Sequence, residues 1–387
     1  MAKTSSAATA RKPAADSATR SDHKIAAVET YRLKLPYRSA IAFKSVKEAA
    51  GEYVVLRLVL DDCTEGISES VCRTSQSGED AVSLAYAIDT YFKPMLLGSD
   101  PLSHLAILQR LNGVKFCRSA KAMIDIALWD LRGKILGQPV WRLLGGENPD
   151  PIPLTWIAHG NSREAQVEEA RRKVAERGFK GMKLKTWRRS FEDVRMVGEV
   201  RKAIGDDVMI YVDGNGSYSE TEARTILAKV VDFNVALIEE PCTFADPARQ
   251  AALAAALPIA MLADQCAQSI DAVQLLLRLQ AAGGISVKLR RTGFTNSLKI
   301  INLCEAAGVP AVIGTDSESR IGSMARMHLR AAIPSLAPWP TETHFFEKLA
   351  DDAFAGDFRF ADGQITIDDS PGFGASIDRA KLDKFAF

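Results

Sequence analysis

Residues 208–264 contain three short apolar runs, VMIYVD (208–213), VALIEE (235–240) and IAMLAD (259–264), and each run contains an acidic residue at its end. Amphipathic helical patterns fill the intervals, over residues 220–231 after the first run and 247–256 after the second. Short strands that alternate with helices are typical of parallel βαβ units. This stretch therefore predicts part of a parallel sheet.

The same alternation continues on both sides of this stretch. PLTWIAH (153–159) and GMKLK (181–185) precede it, ISVKL (285–289) and PAVIGT (310–315) follow it, and helical patterns cover residues 163–177, 191–204, 270–282, 295–307 and 321–332. Seven such repeats favour a closed barrel over an open sheet. A glycine-rich phosphate loop, expected of a nucleotide-binding open sheet, follows none of these runs.

The regions outside the repeats have a different pattern of apolar and polar residues. EYVVLRLVL (52–60) predicts a strand of an antiparallel meander, and AKAMIDIALWDLRGKIL (120–136) predicts a helix that stops before Gly137 and Pro139. FRFADGQITID (358–368) is again strand-like. We therefore predict a disordered tail (1–22), an α+β capping domain (23–145), a barrel (146–345) and a C-terminal segment (346–387) that packs back on the cap.

The overall composition excludes several classes of protein. The 387 residues carry a net charge of +1, so nothing indicates a nucleic-acid partner. The six cysteines are scattered without a CxxC pair, which argues against a zinc site or a disulfide framework. No apolar run approaches the ~20 residues of a membrane span, and the N-terminal stretch lacks the apolar core of a secretory signal. We expect a soluble, cytoplasmic protein that has no membrane partner.

Three acidic residues are predicted to converge at one end of the barrel. Asp213, Glu239 and Asp264 lie 26 and 25 residues apart, about one βα unit each, so they fall at the ends of neighbouring strands. Parallel barrels carry their chemistry at this end. Three carboxylates in one cleft require a compensating cation, and a set of oxygen ligands suits Mg²⁺. Each residue alone would more often be a helix cap or a surface charge.

Lysines accompany these carboxylates. Lys183 and Lys185 are two apart on a strand, so both ammonium groups face the barrel mouth, and Lys288 lies four strands further on. We expect a neighbouring cation and a metal to push Lys183 and Lys185 towards the neutral amine, which is a usable general base. A proton next to a carboxylate is weakly acidic, and a metal on the carboxylate stabilises the resulting enediolate. The alternative is that these lysines only extend along the barrel rim.

Together these residues resemble the enolase superfamily, in particular its muconate-lactonizing subgroup. The resemblance rests on SAKAMIDIALWDLRGKILGQPVWRLLGG (119–146), the KLK strand, the three spaced carboxylates, Lys288 and PGFGASID (371–378). That superfamily is known for a Lys or His base combined with Mg²⁺. The resemblance implies a modified TIM barrel, (β/α)₇β, under an N-terminal α+β cap whose residues 36–46 would cover the substrate.

The resemblance also assigns roles to residues. It implies Mg²⁺ ligands at Asp213, Glu239 and Asp264, with Mn²⁺ as an alternative ion, and a base at Lys185 with Lys183 as its partner. Lys288 would act from the opposite face. Asn215, Gln265 and Glu318 are implied to touch the substrate or to lie just behind the residues that do, and Asn215 would stand beside the metal. The family commonly forms homo-oligomers, so we expect a dimer to an octamer.

Several positions depart from the family pattern. Gln265 replaces the usual glutamate, and this loss of charge is expected to lower the pKa of Lys288 or loosen its position. Arg290 and Arg291 either bind a second substrate carboxylate or form an exposed pair. His159 either faces the pocket or is a structural histidine, whereas His328 is expected to pack inside a helix. The dipeptide epimerases of the subgroup carry Asp-x-Asp on the last strand, which PWPTETH (338–344) lacks.

The predicted function is abstraction of a proton α to the carboxylate of a small substrate. An isomerase is favoured, either a cycloisomerase of the muconate type or a racemase or epimerase of amino-acid derivatives. A lyase, such as an acid-sugar dehydratase or an o-succinylbenzoate synthase-like enzyme, is the alternative. A non-catalytic ligand-binding barrel is the second alternative.

Overall fold

The protein is described by a computed structural model that covers residues 23–43, 46–74, 78–147, 150–160, 162–336 and 338–387. Side chains of residues 42–46 lie outside this description, as does the predicted disordered tail at residues 1–22.

An antiparallel sheet forms the first part of the chain. It consists of β1 (Ile25–Phe43), β2 (Val46–Leu60) and β3 (Glu65–Cys72), in the order β1-β2-β3. Alternate residues of β2 face opposite sides: Val54 and Leu56 pack with the helices of the cap, whereas Tyr53 and Val55 pack towards the barrel. The sheet is therefore buried on both faces, and the predicted meander is confirmed.

Helices cover the outer face of this sheet. They are Ala81–Ala87, Lys93–Leu96, His104–Leu111 and Arg118–Ile135, with a π-helical turn at Ile88–Phe92. The short helix Val140–Leu143 packs instead against both Arg118–Ile135 and the barrel helix Arg320–Ala332. The helix Arg118–Ile135 also joins the cap to the barrel, because the carboxylate of Asp125 accepts hydrogen bonds from the backbone N–H (2.8 Å) and the hydroxyl (2.7 Å) of Thr295. The predicted helix of residues 120–136 is thus confirmed.

Seven parallel strands follow a short strand, β4 (Ile152–Pro153). They are β5 (Thr155–Ala158), β6 (Gly181–Lys185), β7 (Met209–Asp213), β8 (Val235–Glu239), β9 (Met261–Ala263), β10 (Gly284–Val287) and β11 (Ala311–Ile313), hydrogen-bonded in chain order. Thr341 closes the sheet, since its carbonyl oxygen accepts from the N–H of Thr155 (2.8 Å), while the N–H of Glu342 donates to the carbonyl of Ile313 (3.1 Å). The predicted (β/α)₇β barrel is confirmed.

The helices between the strands largely follow the predicted bounds. They are Arg163–Arg177, Phe191–Ile204, Glu220–Thr225, Pro247–Ala256, Ile270–Arg278, Leu289–Ala307 and Arg320–Ala332. The helix predicted over residues 220–231 ends early and continues as the 3-10 helix Leu227–Phe233. In a 3-10 helix residues three apart share a face, which buries both Leu227 and Val230. The helix predicted to start at Thr295 starts at Leu289 and is kinked at Gly293.

The C-terminal segment divides between the two domains. The barrel ends in the 3-10 helices Pro334–Leu336 and Phe345–Lys348, and the segment then forms the strands β12 (Phe354–Gly356), β13 (Arg359–Ala361), β14 (Gln364–Thr366) and β15 (Ala375–Ile377) and the helix Arg379–Phe385. β14 pairs with β4, just before the first barrel strand. The last helix packs on β1, where Ala386 bridges Leu33.

Across the described ranges, every helix is too short or too polar to cross a lipid bilayer.

Candidate active site

Lys183 lies at the centre of the carboxyl end of the barrel. It is on β6 and only 2% exposed. Its Nζ lies 2.6 Å from Oε2 of Glu239 and 3.2 Å from Oδ2 of Asp213. It also donates a hydrogen bond of 3.0 Å to Oε1 of Glu342. One ammonium group is therefore shared by three buried carboxylates.

Lys185 lies two residues further along β6 and points to the same side. Its Nζ donates to Oδ2 of Asp213 at 2.6 Å and to Oδ1 of Asn215 at 2.7 Å. The backbone N–H of Asn215 donates in turn to Oδ1 of Asp213 at 2.8 Å. Asn215 adopts a positive φ of 44°, which turns its backbone back towards the strand end. The three residues hold the Lys185 ammonium group in one place.

Lys288 follows β10 and is held by a second set of carboxylates. Its Nζ lies 2.8 Å from Oδ1 of Asp264 and 3.6 Å from Oδ1 of Asp316. Lys288 is only 6% exposed. Its partner Asp264 lies at the end of the neighbouring strand β9, whereas Lys185 is paired with Asp213. The two candidate bases are thus anchored on different acidic residues.

Both lysines line one cavity of about 910 Å³. Asp213, Glu239 and Asp264 line the same cavity, so the structure brings together the lysines and carboxylates that the sequence singled out. This volume is in the range of small-molecule sites in proteins.

The cap contributes to the wall of this cavity through Glu79 and residues 116–119. The predicted cover, residues 36–46, lies partly outside the described residues, and its described part does not line the cavity. Phe116 is 81% exposed, and both Phe116 and Cys117 have positive φ angles just before the helix Arg118–Ile135. The described wall of the cap is therefore the start of this helix.

The surroundings of the three predicted metal ligands show how a cation would fit them. Within the described ranges, no three acidic, histidine or cysteine side chains are grouped closely enough to form a ready metal cluster. Lysines lie between the carboxylates instead. However, Oε1 of Glu239 is buried and has no hydrogen-bond partner among the described residues. A buried carboxylate oxygen without a donor, between two further carboxylates, fits a hard divalent cation.

The pKa values reflect how closely these carboxylates approach one another. Burial raises the pKa of Glu239 well above its ordinary value, and the charges of Asp213 and Asp264 raise it further. Burial also acts on Asp264, but the charges of Arg291 and Lys288 outweigh it and lower the pKa of Asp264. Glu239 is therefore the member of the set that most lacks positive charge.

The expectation that Lys183 is driven towards the neutral amine is wrong, and the surroundings of Lys288 act in the same direction. Burial lowers the pKa of Lys183, but the carboxylates of Glu239 and Glu342 outweigh burial and raise the pKa well above its ordinary value. Burial likewise lowers the pKa of Lys288, and the charge of Asp264 outweighs it. The charged form of both lysines is favoured because each is packed against carboxylates rather than against another cation.

Glu342 is a buried residue of the site that the sequence did not reveal. Its Oε1 accepts from Lys183 and from the hydroxyl of Tyr211 (2.8 Å), and its Oε2 accepts from the N–H of Thr315 (3.2 Å). It belongs to the segment PWPTETH (338–344), for which the sequence indicated only that the Asp-x-Asp motif of the dipeptide epimerases is absent. Too few residues of this segment pair with the barrel strands to give a strand pattern in the sequence. The sequence therefore did not indicate that Glu342 lies in the sheet beside Lys183.

Glu318, which was predicted to lie at the substrate or behind the residues that touch it, lies behind the cavity wall. Its carboxylate accepts from Arg326 (2.8 Å) and from the hydroxyl of Thr315 (2.7 Å), and it does not line the cavity. Asp316, two residues earlier, lines the cavity and faces Lys288. The turn after β11 therefore directs Asp316, rather than Glu318, into the site.

Gln265 lines the cavity, as predicted for a residue beside the substrate. Burial lowers the pKa of Lys288, but the charges of Asp264 and Asp316 outweigh it, and the effect expected from the glutamine at position 265 stays a prediction. The backbone N–H of Gln265 donates to Oε2 of Glu240 at 3.2 Å. The preceding turn is therefore fixed without the side chain of Gln265.

Arg290 and Arg291 are not an exposed pair. Arg290 donates to Oδ2 of Asp316 at 3.0 Å and to the hydroxyl of Ser119 at 3.1 Å. Arg291 donates to Oδ1 of Asp264 at 2.9 Å and lies 3.5 Å from Asp316. Both guanidinium groups line the cavity but are already engaged by buried carboxylates.

His159 and His328, for which the sequence left a functional or a structural role to decide, lie in different surroundings. His159 lines the cavity at the end of β5. His328 packs against the ring of Phe373, and its Nδ1 accepts from the N–H of Trp141 at 3.2 Å, so its predicted structural role is confirmed.

Family models match both halves of the chain. Residues 24–145 match the mandelate racemase / muconate lactonizing enzyme N-terminal domain, and residues 165–381 match the enolase C-terminal domain-like family. The chain belongs to the enolase superfamily. The predicted superfamily, with its muconate-lactonizing subgroup, is confirmed.

Individual relatives cover almost the whole chain. A chloromuconate cycloisomerase of Pseudomonas putida is 29% identical over 94% of this chain and 99% of its own length. An N-succinyl-L-Arg/Lys racemase of Bacillus cereus is 26% identical over 93% of this chain and 97% of its own length. The structure of muconate lactonizing enzyme from Pseudomonas fluorescens complexed with muconolactone has a TM-score of 0.89 and 27% identity, covering 94% of this chain and 100% of that one.

These relatives are cycloisomerases and a racemase, so the predicted class of enzyme, an isomerase of the enolase superfamily, is confirmed.

Proposed function

We propose that this isomerase uses Mg²⁺ and removes a proton α to the carboxylate of a small substrate, forming an enediolate. The observation that carries the proposal is the placement of Lys185 and Lys288 in one cavity, on either side of the carboxylates Asp213, Glu239 and Asp264. Proton transfer α to a carboxylate needs a positioned base and positive charge near the carboxylate oxygens.

Asp213, Glu239 and Asp264 would hold the Mg²⁺ ion, for which Mn²⁺ is an alternative. When bound, the ion supplies positive charge that stabilises the substrate carboxylate as negative charge develops on it. Glu239, with its buried and unpartnered Oε1, would be the central ligand. Lys183 would remain beneath the ligands as their permanent counter-charge.

Lys185 is the residue proposed to accept the proton. In its amine form it takes up the α-proton and becomes an ammonium group, which Asp213 and Asn215 already hold by hydrogen bonds. Lys288 acts from the other side, where its ammonium group can return a proton to the opposite face of the carbon. Asp264 and Asp316 keep it in place.

Two reactions fit this arrangement. In a racemase or epimerase, one lysine removes the proton and the other returns one to the opposite face. In a cycloisomerase, a single lysine exchanges the proton next to the carboxylate. The second lysine in the cavity favours racemisation or epimerisation, whereas cycloisomerases are prominent among the relatives.

The proposal is tested in deuterated water with Mg²⁺, using a muconate, N-succinyl-L-lysine and an acid sugar as substrates. A racemase incorporates deuterium at the α-carbon of both enantiomers, whereas a cycloisomerase produces a deuterated lactone. Loss of water from an acid sugar would instead identify a lyase.

A matched pair of variants identifies the base. Lys185→Ala should abolish turnover while Mg²⁺ binding persists, because Lys185 is not a ligand. Lys180→Ala, which changes an exposed lysine just before the same strand, should leave both unchanged. Turnover that survives in Lys185→Ala would contradict the assignment and favour a different base or a binding function.

Domain boundaries at residues 23, 146 and 346, a homo-oligomeric state from dimer to octamer and a cytoplasmic location remain predictions. Light scattering after size-exclusion chromatography measures the oligomeric state directly.

A further inference from the structure

The sheet of the cap contacts the turn of the barrel that follows β11, residues 315–319. The hydroxyl of Tyr53, on β2, donates to the carbonyl oxygen of Ser317 at 2.8 Å, across 264 positions of the chain. Arg73, which follows β3, donates to the hydroxyl of Ser317 at 3.4 Å. Tyr53 is fully buried, so its contact lies inside the interface between the two domains. The proposed proton transfer uses neither of these cap residues.

Ser317 adopts a backbone conformation that requires support from its surroundings. Its φ of 84° lies in the left-handed region, which serine rarely adopts because its Cβ crowds the backbone. Such residues persist where neighbouring groups hold them, and they are concentrated at functional sites. A buried carbonyl oxygen without a donor is also costly. The hydrogen bond from Tyr53 therefore stabilises both the unusual φ and the buried carbonyl group of Ser317.

The residues on either side of Ser317 are fixed by two glutamates. Glu69, on β3 of the cap, accepts a hydrogen bond from the N–H of Ser319 at 2.6 Å. Glu318, within the turn, accepts from the N–H of Asp316 at 3.1 Å. The turn is thus fixed at both ends, and the cap holds its middle through Ser317.

Asp316 is the carboxylate of this turn that faces the active site. It lines the cavity, its Oδ1 lies 3.6 Å from Nζ of Lys288, and its Oδ2 accepts from Arg290 at 3.0 Å. The other carboxylate beside Lys288 is Asp264, a proposed Mg²⁺ ligand, so Asp316 is the partner that Lys288 would not share with the ion. Because Asp316 directly precedes Ser317, a change of φ at Ser317 shifts the Asp316 carboxylate relative to Lys288.

We propose that Tyr53 is a positioning residue of the active site. Its hydroxyl holds Ser317 in the left-handed conformation, which keeps the carboxylate of Asp316 beside Lys288 and keeps Lys288 directed at the substrate carbon. Tyr53 does not line the cavity, so it acts only through the turn. The cap thereby contributes to the half of the reaction that Lys288 performs. This inference rests on the proposed function, because it assumes that Lys288 transfers a proton at one face of the carbon.

The experiment separates the two lysines by the enantiomer from which each removes a proton. N-succinyl-L-lysine and N-succinyl-D-lysine are incubated with Mg²⁺ in deuterated water, and the initial rate of α-proton loss is measured for each by NMR. Lys185→Ala and Lys288→Ala identify the enantiomer on which each lysine acts. In Tyr53→Phe, proton loss from the enantiomer of Lys288 should slow about tenfold or more through kcat, with KM unchanged. Proton loss from the enantiomer of Lys185 should stay within about twofold of wild type.

Equal slowing of both enantiomers in Tyr53→Phe, or slowing of neither, would overturn the proposal, because a merely structural role does not distinguish the two lysines. Tyr31→Phe is the matched control, since it removes a hydroxyl that donates to Glu29 within the same sheet. It should change neither rate by more than about twofold. Thermal unfolding verifies that each variant is folded.

A crystal structure of Tyr53→Phe gives a readout that does not depend on turnover. Ser317 should leave the φ of 84° for the negative region, and Oδ1 of Asp316 should lie farther from Nζ of Lys288 than the 3.6 Å of the wild type. An unchanged turn would overturn the role of Tyr53. Wild-type protein that releases the α-proton of neither enantiomer would count instead against proton transfer by two lysines, and the crystal structure would still decide the role of Tyr53.

Discussion

The ammonium nitrogen of Lys183 lies 2.6 Å from Oε2 of Glu239, at the centre of the carboxyl end of the barrel. The same nitrogen serves Asp213 and Glu342, so three buried carboxylates depend on one lysine. Lys185 provides a second positive charge, but it forms an ion pair only with Asp213. The carboxylates thus outnumber the ammonium groups, which explains why a divalent cation is expected at Glu239. For the same reason Lys183 contributes to the stability of the fold as well as to catalysis.

Lys183→Met should lower the free energy of unfolding by about 3–5 kcal/mol in the presence of a chelator, because it leaves buried carboxylates without their shared cation. Chemical denaturation of wild type and variant measures the difference. Mg²⁺ should restore part of the loss. Lys180→Met, an exposed lysine before the same strand, should change stability by less than about 0.5 kcal/mol. A loss no larger than that of this control would show that Lys183 does not compensate the carboxylates.

Chelation with EDTA should abolish turnover, and added Mg²⁺ should restore it. Mg²⁺ at about 100 times its dissociation constant should also stabilise the fold by about 2.7 kcal/mol, since it binds the folded state only. Glu239→Gln should abolish most of this stabilisation by removing the central ligand, which thermal unfolding with and without Mg²⁺ measures. Unchanged turnover in EDTA, or full Mg²⁺ stabilisation of Glu239→Gln, would count against the metal assignment.

Gly293→Ala should destabilise the protein by about 3 kcal/mol or more. Gly293 has a φ of 63° and a ψ of −170°, and a Cβ there would overlap Oδ2 of Asp125. Gly205→Ala is the control, because its φ of 77° and ψ of −177° are similar but a Cβ would meet no other atom within 4 Å. The control should therefore lose only the cost of the strained backbone, about 1–2 kcal/mol. Equal losses in the two variants would show that the contact with Asp125 carries no energy.

Glu69→Gln should alter the pH dependence of stability. Burial raises the pKa of Glu69 from its ordinary 4.5 to about 8, although Ser319 donates to its carboxylate. The unfolded chain loses this proton above about pH 4.5 and the folded protein only near pH 8, so rising pH favours the unfolded state across that window. The melting temperature of Glu69→Gln relative to wild type should increase from about pH 5 to about pH 8.

Glu65 on the same strand provides the control for this measurement. Its hydrogen bond with Arg57 lowers the pKa of Glu65, so its contribution to stability is complete above its unfolded pKa and is lost only as pH falls below it. Glu65→Gln should therefore differ from wild type by a constant amount over the same range. A flat profile for Glu69→Gln as well would contradict a raised pKa at Glu69.

The sequence predicted the features that repeat along the chain. Strand and helix alternation is periodic, so the barrel could be recognised, and residues that end neighbouring strands, such as Asp213 and Glu239, must lie side by side. The resemblance to the superfamily added the roles of Lys185 and Lys288. Asn215 and Gln265 were correctly expected near the cavity for the same reason.

Features that depend on a single turn or on distant contacts could not be predicted. Glu342 joins the site through a segment that closes the barrel with isolated hydrogen bonds, which leave no periodic pattern. The conformation of the single turn after β11 decides that Asp316, and not Glu318, lines the cavity. The protonation of Lys183 depends on which atoms lie within 3 Å of it. The contact of His159 with Lys348 joins the end of β5 to the 3-10 helix Phe345–Lys348, far away in the chain.

The helix Arg118–Ile135 has a practical consequence for protein engineering. It binds the barrel through Asp125 to Thr295 and through Ser119 to Arg290, both just after Lys288. Grafting the cap of a relative onto this barrel in order to transfer its selectivity would therefore disturb the neighbourhood of a base. Successful chimeras must exchange these contact pairs together with the cap.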